Sequence, residues 1–463
     1  MKLQDTLINS EKELDISDKV RIYLCGITVY DESHIGHART IIVFDVLRKY
    51  LESKGIEVEF IQNFTDIDDK IINRAKLENT TAEQISSRYI QNYFIDFDRL
   101  NVKRATNYPK ATEHIEDIQK FIQNLVKKEI AYISKNGVYF SVSKFPQYGK
   151  LSKKNINELQ IGARVEVDEA KKDPLDFALW KFSDIKPLWD SPWGKGRPGW
   201  HIECSAMSLK YLGENFDIHG GGRDLIFPHH ENEIAQAESL TTKQFAKIWM
   251  HVGMVTINDE KMSKSLGNVK TIKYVLDIWG ANIIRLFCLS GHYSKPIDYS
   301  EELLTENLTK WRQIETCYYE LIHADNKKHD NEIKSTVRKI GDEFDEGLES
   351  DFNTHLALLV FFKLVKEVNY LAAEEKLGLN DVKNVMPEFE RMLEILGLRI
   401  PKTTEDEKKE IDDLIMDRVH LRKEKKFQEA DKIRDKLNEM NVELIDHKEK
   451  TIWVRKEKIR GEN

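Results

Sequence analysis

Four side chains of this sequence could together bind a metal ion: Cys25, Cys204, His229 and Glu233. Zinc in proteins takes Cys thiolates, His nitrogens and carboxylate oxygens, usually four in a tetrahedron. His229 and Glu233 stand four positions apart, which predicts that they share one face of a helix. Pro228 suits the first position of a helix, so this helix is predicted to begin there. The two cysteines do not have the close spacing of a zinc finger. The hypothesis of a metal site therefore rests on the chemistry of the four side chains.

Other residues compete for the same role. His230 is an alternative ligand, but Glu233 pairs at a spacing of four only with His229. Cys288 and Cys317 are interpreted as small core residues, which is the commonest role of an isolated Cys.

The metal could be structural or functional. Cys25 ends a predicted strand and lies nine residues before His34, so the metal would sit at the edge where open α/β folds bind ligands. A closed structural zinc is the alternative. A zinc with room for another ligand could hold a substrate thiolate, and such a site can reject analogues by roughly 10⁴–10⁵ without editing.

Two segments could bind phosphate groups. His34, Gly36 and His37 fall between a predicted strand and its following helix, where backbone N–H groups and a positive dipole face a bound anion. Lys261 and Lys264 belong to a loop of lysines and small polar residues, which could follow charge as it builds on a transferring phosphoryl group. A solvated surface loop is the alternative for the lysines, and their place in the same domain as the histidines favours function.

The elements that position these residues follow a β-α-β order. Residues 20–24 alternate like a strand, residues 38–54 carry apolar side chains at helical spacing, and residues 58–64 form a second buried strand pattern. This order predicts an α/β fold with a parallel sheet of Rossmann type. Residues 216–219 and 249–257 are two further strand candidates.

Gly220 and Gly221 follow one of these strand candidates. Together with His219 and Gly222, they are a third candidate contact for a nucleotide. Taken alone, glycines after a strand indicate only a tight turn.

Three domains are predicted. Residues 1–300 form the Rossmann-type catalytic domain, with an insertion at about 125–195 in which Asn136 and Gly137 mark a β-hairpin. Residues 301–400 form a helical bundle, and residues 401–463 form a small C-terminal mixed α/β module.

The helical bundle is predicted to pack through two apolar stripes. A stripe of this kind arises when apolar side chains recur every three or four residues of a helix. The first stripe comprises Leu356, Leu359, Phe362 and Val365, and the second comprises Phe389, Leu393 and Leu396.

Composition narrows the class of protein. The chain is 40% hydrophobic and 32% charged, and it shows neither a secretory signal nor an apolar run long enough to span a bilayer. Four cysteines in such a chain favour thiols and metal over disulfides.

The net charge of −8 disfavours a nucleic-acid partner, but residues 418–460 hold 14 Lys and Arg against 9 Asp and Glu. This basic tail is compatible with RNA contact, and a solvated helix face is the alternative.

Several blocks of the chain resemble the cysteinyl-tRNA synthetase family of class I aminoacyl-tRNA synthetases. The resemblance runs over nearly the whole chain. The blocks are residues 25–31, 34–37 (the HIGH motif), 63–70, 200–207, 227–233 and 261–265 (the KMSKS motif).

The resemblance implies a cysteine–tRNA ligase that uses ATP with Mg²⁺, L-cysteine, tRNA(Cys) and one zinc ion per chain. It also implies a cytoplasmic monomer without a membrane partner. The implied reaction first forms cysteinyl-adenylate and then transfers the cysteinyl group to the terminal ribose of the tRNA. The residues implied are Cys25, Cys204, His229 and Glu233 for zinc, His34, His37, Lys261 and Lys264 for catalysis, His34, Gly36, His37, Gly220, Gly221 and Lys264 for ATP, and Thr65, Trp200 and Asp224 for cysteine.

The chain departs from the family pattern in two places. His355 stands where the family usually has Pro, and residues 449–453 lack a commonly seen Gly.

Two alternative functions remain. A cysteine ligase of mycothiol synthesis acts on an amino sugar and lacks the tRNA-binding tail that this chain keeps. A non-catalytic zinc and RNA-binding paralogue is disfavoured because the histidines and lysines of both motifs are intact.

Overall fold

The computed structural model describes residues 1–16, 19–154, 170–262, 267–325, 333–448 and 450–462. Its α-helices are α1 Ile35–Ser53, α2 Asp69–Leu77, α3 Ala82–Arg99, α4 Ile115–Lys127, α5 Trp200–Leu212, α6 Glu231–Thr241, α7 Ile272–Leu289, α8 Glu301–Ile322, α9 Ile333–Glu349, α10 Thr354–Ala373, α11 Leu379–Leu396, α12 Glu405–Lys423 and α13 Phe427–Glu439. Its β-strands are β1 Lys2–Asp5, β2 Ser10–Glu13, β3 Lys19–Thr28, β4 Glu57–Thr65, β5 Ala131–Ser134, β6 Gly137–Phe140, β7 Phe177–Phe182, β8 Gly196–Pro198, β9 Phe216–Gly222, β10 Ala246–Val252, β11 Val255–Ile257, β12 Glu260–Lys261, β13 Ile297–Asp298, β14 Val442–Asp446 and β15 Thr451–Arg455. Within these residues, no helix is long and apolar enough to cross a membrane.

Four parallel strands form the central sheet, in the spatial order β10-β9-β3-β4. β3, α1 and β4 make the predicted β-α-β unit, and the predicted α/β fold with a Rossmann-type sheet is confirmed. The strand predicted at 249–257 is instead two strands, β10 and β11, which are separated at Gly253 and Met254. Because parallel strands end at the same edge, the residues that follow β3, β9 and β10 meet there.

α1 begins earlier than its apolar spacing predicts, at Ile35 rather than near residue 38. His34 caps the helix, because its side chain accepts a hydrogen bond from the backbone N–H of Gly36. The helix ends at Ser53, just before Gly55, whose φ of +80° suits a residue without a side chain.

A four-stranded antiparallel sheet, in the order β5-β6-β7-β8, lies between the two halves of the central sheet in the chain. The predicted hairpin is confirmed, since Ser134 pairs with Gly137 at its turn. Phe140, Phe177 and Trp180 belong to a second hydrophobic core that this sheet shares with α4, α5 and α6. Residues 155–169 of the predicted insertion lie outside the described residues.

The bundle formed by α8, α9, α10 and α11 packs through one of the two predicted stripes and part of the other. The stripe on α11 is confirmed, because Phe389, Leu393 and Leu396 are buried. The stripe on α10 is right only in part: Val365 is buried and Phe362 is partly buried against the core, but Leu356 and Leu359 are 40% and 50% exposed. α10 is apolar on more than one side, so spacing alone could not choose its inward face. Its buried residues include Ala357, Leu358, Phe361, Leu364 and Val368.

The C-terminal module consists of α12, α13 and the antiparallel hairpin β14–β15, and no regular secondary structure connects it to α11. The strand predicted at 451–454 is confirmed as β15. The module packs against α8 through Trp453, whose ring lies 5.1 Å from that of Tyr319. His355, one of the two departures from the family pattern, is exposed in the first turn of α10, where its side chain meets no packing constraint.

Arg285 joins the part of the chain that carries the central sheet to the bundle. Its buried guanidinium pairs with Asp45 of α1 at 2.7 Å and donates to the carbonyl oxygens of Leu396 at 2.8 Å and Leu100 at 3.0 Å. Gly397 makes room for it, since a Cβ there would lie 2.1 Å from the guanidinium, and its φ is +70°. One side chain therefore donates hydrogen bonds to carbonyl oxygens at the end of α11 and at the end of α3, and so links the two helices.

We expect Arg285→Met to lower the free energy of unfolding by about 3 kcal/mol, because a buried carboxylate loses a partner and buried carbonyls lose donors. Urea unfolding measures this value. Arg99→Met is the matched control, since Arg99 pairs with Asp277 at 2.7 Å but both side chains are about 40% exposed. The control should cost less than about 1 kcal/mol. Equal losses in the two variants would contradict the joining role of Arg285.

Candidate functional site

A cavity of about 480 Å³ opens at the carboxyl edge of the central sheet. The ends of β3, β9 and β10 and the start of α1 all contribute to its wall. The predicted site residues that line it are Cys25, His34, Gly36, His37, Trp200 and Asp224. The fold thus brings together residues that lie up to about 200 positions apart in the chain.

The two histidines at the start of α1 hold each other in place. Their rings stack with centroids 3.7 Å apart. His34 accepts a hydrogen bond from Gly36 N, and His37 Nδ1 accepts one from His34 N at 3.3 Å. Ile35 N donates to the carbonyl oxygen of Lys270. The first backbone N–H groups of the helix are therefore already used, and the imidazoles and the helix dipole face the cavity instead.

Gly220 and Gly221 do not line the cavity. They lie inside β9 and pair with Met250 and His251 of β10. Their missing side chains make room for protein, since a Cβ on Gly220 would lie 2.0 Å from the Phe44 ring and one on Gly221 would lie 2.9 Å from His230. Packing against the sheet, which the sequence spacing does not reveal, explains these two glycines.

The lysine loop lies partly beyond the described residues. Lys264 and the side chain of Lys261 are outside them, so their predicted roles stay predictions. Met262 lines the cavity, and its methyl group lies 3.4 Å from the position of a Cβ on Gly36. The beginning of this loop thus reaches the start of α1.

The four predicted metal ligands form a buried cluster behind the cavity. Their ligand atoms all lie within 4.8 Å of one another. Oε1 of Glu233 lies 3.0 Å from His229 Nε2 and 3.4 Å from Cys25 Sγ. Cys204 is buried beside them and is 3.7 Å from Oδ1 of Asn63. Cys25 is the member of this cluster that also lines the cavity.

A bulge in β3 places Cys25. The pairing of β3 with β4 shifts register between Leu24 and Ile27. Gly26 is needed there, because a Cβ would lie 1.6 Å from the carbonyl oxygen of Asn63. Asn63 in turn accepts a hydrogen bond from Gly26 N at 2.9 Å. The bulge breaks the alternation of the strand just where Cys25 faces the other ligands.

The turn that leads into the helix of Glu233 begins where predicted. Phe227 is extended, with φ −138° and ψ 130°, and His230 and Glu231 are helical. Pro228 directly follows the extended Phe227, which is the place that proline suits at the start of a helical segment. His229 and Glu233 make contact.

His230 is turned away from the main cluster. Its Nε2 lies 3.9 Å from Glu233, and its Nδ1 lies 2.7 Å from Nε2 of His251. A second donor set, in which His219 and His230 replace Cys204 and His229, also exists. The closer approach of His229 and the two thiols of the first set favour the first set.

Burial and neighbouring charges shift the pKa of each ligand. Burial raises the pKa of the Cys25 thiol, and the nearby Cys204 and Glu233 raise it further. The hydrogen bond from Cys25 lowers the pKa of Cys204 to about 6. Burial alone would lower the pKa of His229, but the charges of Glu233 and Cys204 raise it to about 10. Burial opposes ionisation of Glu233, yet His219 and His229 hold its pKa well below the ordinary value.

This donor set fits zinc. Two sulfurs, one imidazole nitrogen and one carboxylate oxygen are the atoms that zinc prefers, and four of them make a tetrahedral site. Without a metal, the cluster would concentrate negative charge in a space that excludes water, opposed by the neighbouring imidazoles of His219 and His229. A divalent cation removes that cost.

The three residues implied for amino-acid binding differ in whether they reach the cavity. Trp200 is 37% exposed and its ring lies 4.3 Å from that of His229. Asp224 lines the cavity. Thr65 is buried at the end of β4, opposite Thr28 of β3, and does not line the cavity. Trp200 and Asp224 can therefore touch a ligand in the cavity, whereas Thr65 supports its floor.

Sequence reasoning missed three further histidines around the metal cluster. His219 Nε2 lies 2.8 Å from Oε2 of Glu233, and His201 Nδ1 lies 2.9 Å from Nδ1 of His229. His251 contacts His230. The sequence does contain a sign of this histidine cluster, because five of the 14 histidines of the chain fall within residues 201–251.

Comparisons with known proteins identify the family to which the chain is similar. The chain matches the family of class I (C) tRNA synthetase catalytic domains over residues 12–309 and the DALR domain over residues 343–400. A protein of Thermodesulfovibrio yellowstonii named cysteine–tRNA ligase is 49% identical, covering 98% of this chain and 99% of that protein. One of the same name from Caldicellulosiruptor saccharolyticus is 47% identical, covering 96% and 98%.

Solved structures share the fold at low identity. Methionyl-tRNA synthetase of Mycobacterium tuberculosis, in complex with methionyl-adenylate, superposes with a TM-score of 0.62 at 14% identity, covering 82% of this chain and 89% of that one. The leucyl-tRNA synthetase of an Agrobacterium radiobacter ternary complex gives a TM-score of 0.61 at 10% identity, covering 82% and 84%.

We expect the protein to bind one zinc ion per chain and to release about two protons near pH 8. His229 and Cys25 carry protons there because the pKa of His229 is raised to about 10 and that of Cys25 is raised, whereas Cys204, with a pKa of about 6, is already ionised. Affinity should therefore rise with pH over the alkaline range in which His229 and Cys25 lose their protons. Calorimetric titration in buffers of different ionisation enthalpy counts the protons.

Cysteine variants provide the control. Cys204→Ser should abolish tight zinc binding, and Cys288→Ser, at a buried cysteine of α7, should keep it. Zinc retained by Cys204→Ser, or wild-type protein purified without chelator that holds no zinc, would contradict this ligand set.

Proposed function

The chain belongs to the cysteine–tRNA ligase family of class I aminoacyl-tRNA synthetases, and we propose that it selects L-cysteine by its thiol at a zinc ion and joins it to tRNA(Cys). One observation carries the proposal: the buried cluster of two cysteines, a histidine and a glutamate opens into the nucleotide cavity through Cys25. A bound zinc supplies a soft Lewis acid that holds a thiolate. Serine offers only a harder, less acidic hydroxyl, and alanine offers no ligand.

The first step of the reaction needs no protein nucleophile. The carboxylate of cysteine attacks the α-phosphorus of ATP, the bond to the bridging oxygen breaks, and pyrophosphate leaves. Positioning and charge stabilisation supply the rate. His34 and His37, stacked at the start of α1, face the phosphates, and Asp224 on the cavity wall is placed to accept the α-ammonium group. Lys261 and Lys264 are proposed to neutralise the phosphate charge, with Mg²⁺.

The second step transfers the cysteinyl group. A hydroxyl of the terminal ribose of the tRNA attacks the carbonyl carbon of cysteinyl-adenylate, the bond to phosphate breaks, and AMP leaves. The C-terminal module is proposed to hold the anticodon end of the tRNA. Trp453, a candidate for base stacking, is 2% exposed and donates to Asp412, so it serves the core of the module. Phe427 is the exposed aromatic residue of this basic tail, at 57%, and lies beside the exposed Lys425 and Lys426.

Two alternatives predict different substrates. A cysteine ligase of mycothiol synthesis would transfer cysteine to an amino sugar and would need no tRNA-binding module. A non-catalytic paralogue would bind zinc and RNA without forming adenylate. α12, α13 and the β14–β15 hairpin, together with the intact His34 and His37, favour the tRNA ligase. A cytoplasmic location and a monomeric state are proposed on the family resemblance alone.

We expect the purified protein to catalyse cysteine-dependent exchange of pyrophosphate into ATP without tRNA, and to charge tRNA(Cys). Serine and alanine should support exchange roughly 10⁴-fold less efficiently. Exchange without charging, but with transfer to an amino sugar, would identify the mycothiol-type enzyme. Zinc and RNA binding without exchange would identify the non-catalytic paralogue.

Phe427→Ala should raise the KM for tRNA in charging and leave pyrophosphate exchange unchanged. Base stacking on an aromatic side chain contributes about 1–3 kcal/mol per base, which corresponds to an increase of roughly 5- to 150-fold. Leu77→Ala is the control, because Leu77 is an exposed apolar residue at the end of α2 in the catalytic part. A KM for tRNA that Phe427→Ala leaves within twofold of wild type would contradict the stacking role.

A further inference from the structure

After the last strand, the chain returns from the C-terminal module to α7 and α8. Residues 456–461, here called the C-terminal strap, follow β15, which ends at Arg455. Ile459 of the strap is buried. Gly461 lies against the ring of Trp279 in α7, where a Cβ would come within 3.0 Å of the ring. The module is therefore packed against the rest of the chain through the strap as well as through Trp453.

α8 binds the backbone of the strap at Glu457. The N–H of Glu457 donates to Oε1 of Glu315 at 2.8 Å, and the carbonyl oxygen of Glu457 accepts from Arg312 at 2.9 Å. Arg312 and Glu315 also form an ion pair with each other. Two side chains of α8 thus satisfy both polar backbone groups of one strap residue.

α7 binds the side chain of Glu457 through Asn282. The amide nitrogen of Asn282 donates to Oε2 of Glu457 at 2.8 Å and to the carbonyl oxygen of Arg399 at 3.0 Å. The amide oxygen of Asn282 accepts from the N–H of Arg399 at 2.9 Å. Arg399 lies just after α11, where the chain runs toward the module. One buried amide therefore holds both the segment that leads into the module and the strap that leads out of it.

α7 is shaped to receive the strap. Gly280 interrupts the helix with a φ of +74° and a ψ of 169°. A Cβ at this position would lie 2.6 Å from Oε1 of Glu457 and 3.0 Å from Cδ1 of Ile459. A residue with a side chain would therefore collide with the strap at the point where the strap crosses the helix, in addition to being strained at this φ.

The start of α7 is bonded to the wall of the cavity. The N–H of Ile272 donates to the carbonyl oxygen of Ser33 at 2.8 Å, and the N–H of Ile35 donates to that of Lys270 at 3.0 Å. These two bonds join α7 to the start of α1, whose first turn lines the cavity. A strap that binds α7 therefore fixes the module relative to the cavity.

We propose that Glu457 and Asn282 are positioning residues that set the orientation of the C-terminal module relative to the cavity, so that a tRNA held by the module presents its 3′ end to the cavity. This inference rests on the proposed role of the module in binding tRNA. Neither residue has to touch the tRNA. A ligand that needs one orientation binds more weakly in proportion to the fraction of molecules that have lost it.

The test compares Glu457→Ala, which removes the carboxylate, with Glu457→Gln, which keeps an oxygen that can accept from Asn282. Glu457→Ala should raise the KM for tRNA in charging about tenfold, because a hydrogen bond to a charged group is lost and the docked orientation becomes less populated. The kcat for charging and the rate of pyrophosphate exchange should stay unchanged, whereas a general loss of folded protein would lower both. Glu457→Gln should keep the wild-type KM. Glu443→Ala is the matched control, because Glu443 pairs with Lys456 within the module.

A double variant tests whether the contact with Asn282 is responsible. Asn282→Ala should raise the KM for tRNA as well, because it releases both Arg399 and Glu457. Adding Glu457→Ala to Asn282→Ala should then have no further effect, since the two residues act through one contact. A full further increase in the double variant would overturn the proposal.

Small-angle X-ray scattering measures the orientation without any substrate. Glu457→Ala should broaden the distribution of distances within the chain, and Glu457→Gln and Glu443→Ala should leave it unchanged. A wild-type KM for tRNA in Glu457→Ala, or a scattering profile identical to that of wild type, would overturn the proposal. A wild-type chain that charges no tRNA would instead overturn the proposed function, and the scattering experiment would still test the strap.

Discussion

The buried carboxylate of Glu233 is the constraint on which the rest of the site depends. It sits in contact with two imidazoles and a thiol, with no access to water. A charge in such a place is tolerated only when it is paired or coordinates a cation. The raised pKa of His229 is one consequence of that requirement. A metal satisfies it more completely than a proton does, because one divalent ion neutralises several ligands at once.

The fold meets this constraint by joining distant segments at one sheet edge. Cys25 and Glu233 lie 208 positions apart, yet β9 inserts beside β3 and brings α6 next to the bulge at Cys25. The central sheet is thus completed only after the chain has passed through the antiparallel sheet of the insertion. A metal site on strands and helices is more rigid than one on loops, which suits a site that must discriminate substrates by geometry. The neutralisation of phosphate charge is proposed for the lysine loop instead.

Local patterns in the sequence predicted local structure well, and tertiary packing decided where they failed. The β-α-β unit, the hairpin at Gly137 and the apolar stripe on α11 depend on short spacings, and the structure contains all three. The inward face of α10 was predicted only in part because Leu356 and Leu359 have apolar neighbours on the opposite side of the same helix. The buried histidines could not be assigned to the site from spacing, because they converge from α5, β9 and β10. The glycines of β9 were predicted to contact a ligand. In the structure, the ring of Phe44 occupies the space that a side chain at Gly220 would need, which explains that glycine without a ligand.

Hydrogen bonds tie the bundle to the wall of the cavity. Asp351, at the turn between α9 and α10, accepts hydrogen bonds from Gln4 N at 2.8 Å and from the hydroxyl of Tyr293 at 3.2 Å. Asp351 and the buried Phe352 both have positive φ, 54° and 46°, a strained conformation that persists only where surrounding contacts impose it. The carbonyl oxygen of Tyr293 in turn accepts from the N–H of Gly253, which lines the cavity. A single turn of the bundle therefore braces both the N-terminal hairpin, which is fastened to β10 through Thr6 N and the carbonyl oxygen of Trp249, and the wall of the cavity, so the bundle and the central sheet share one frame.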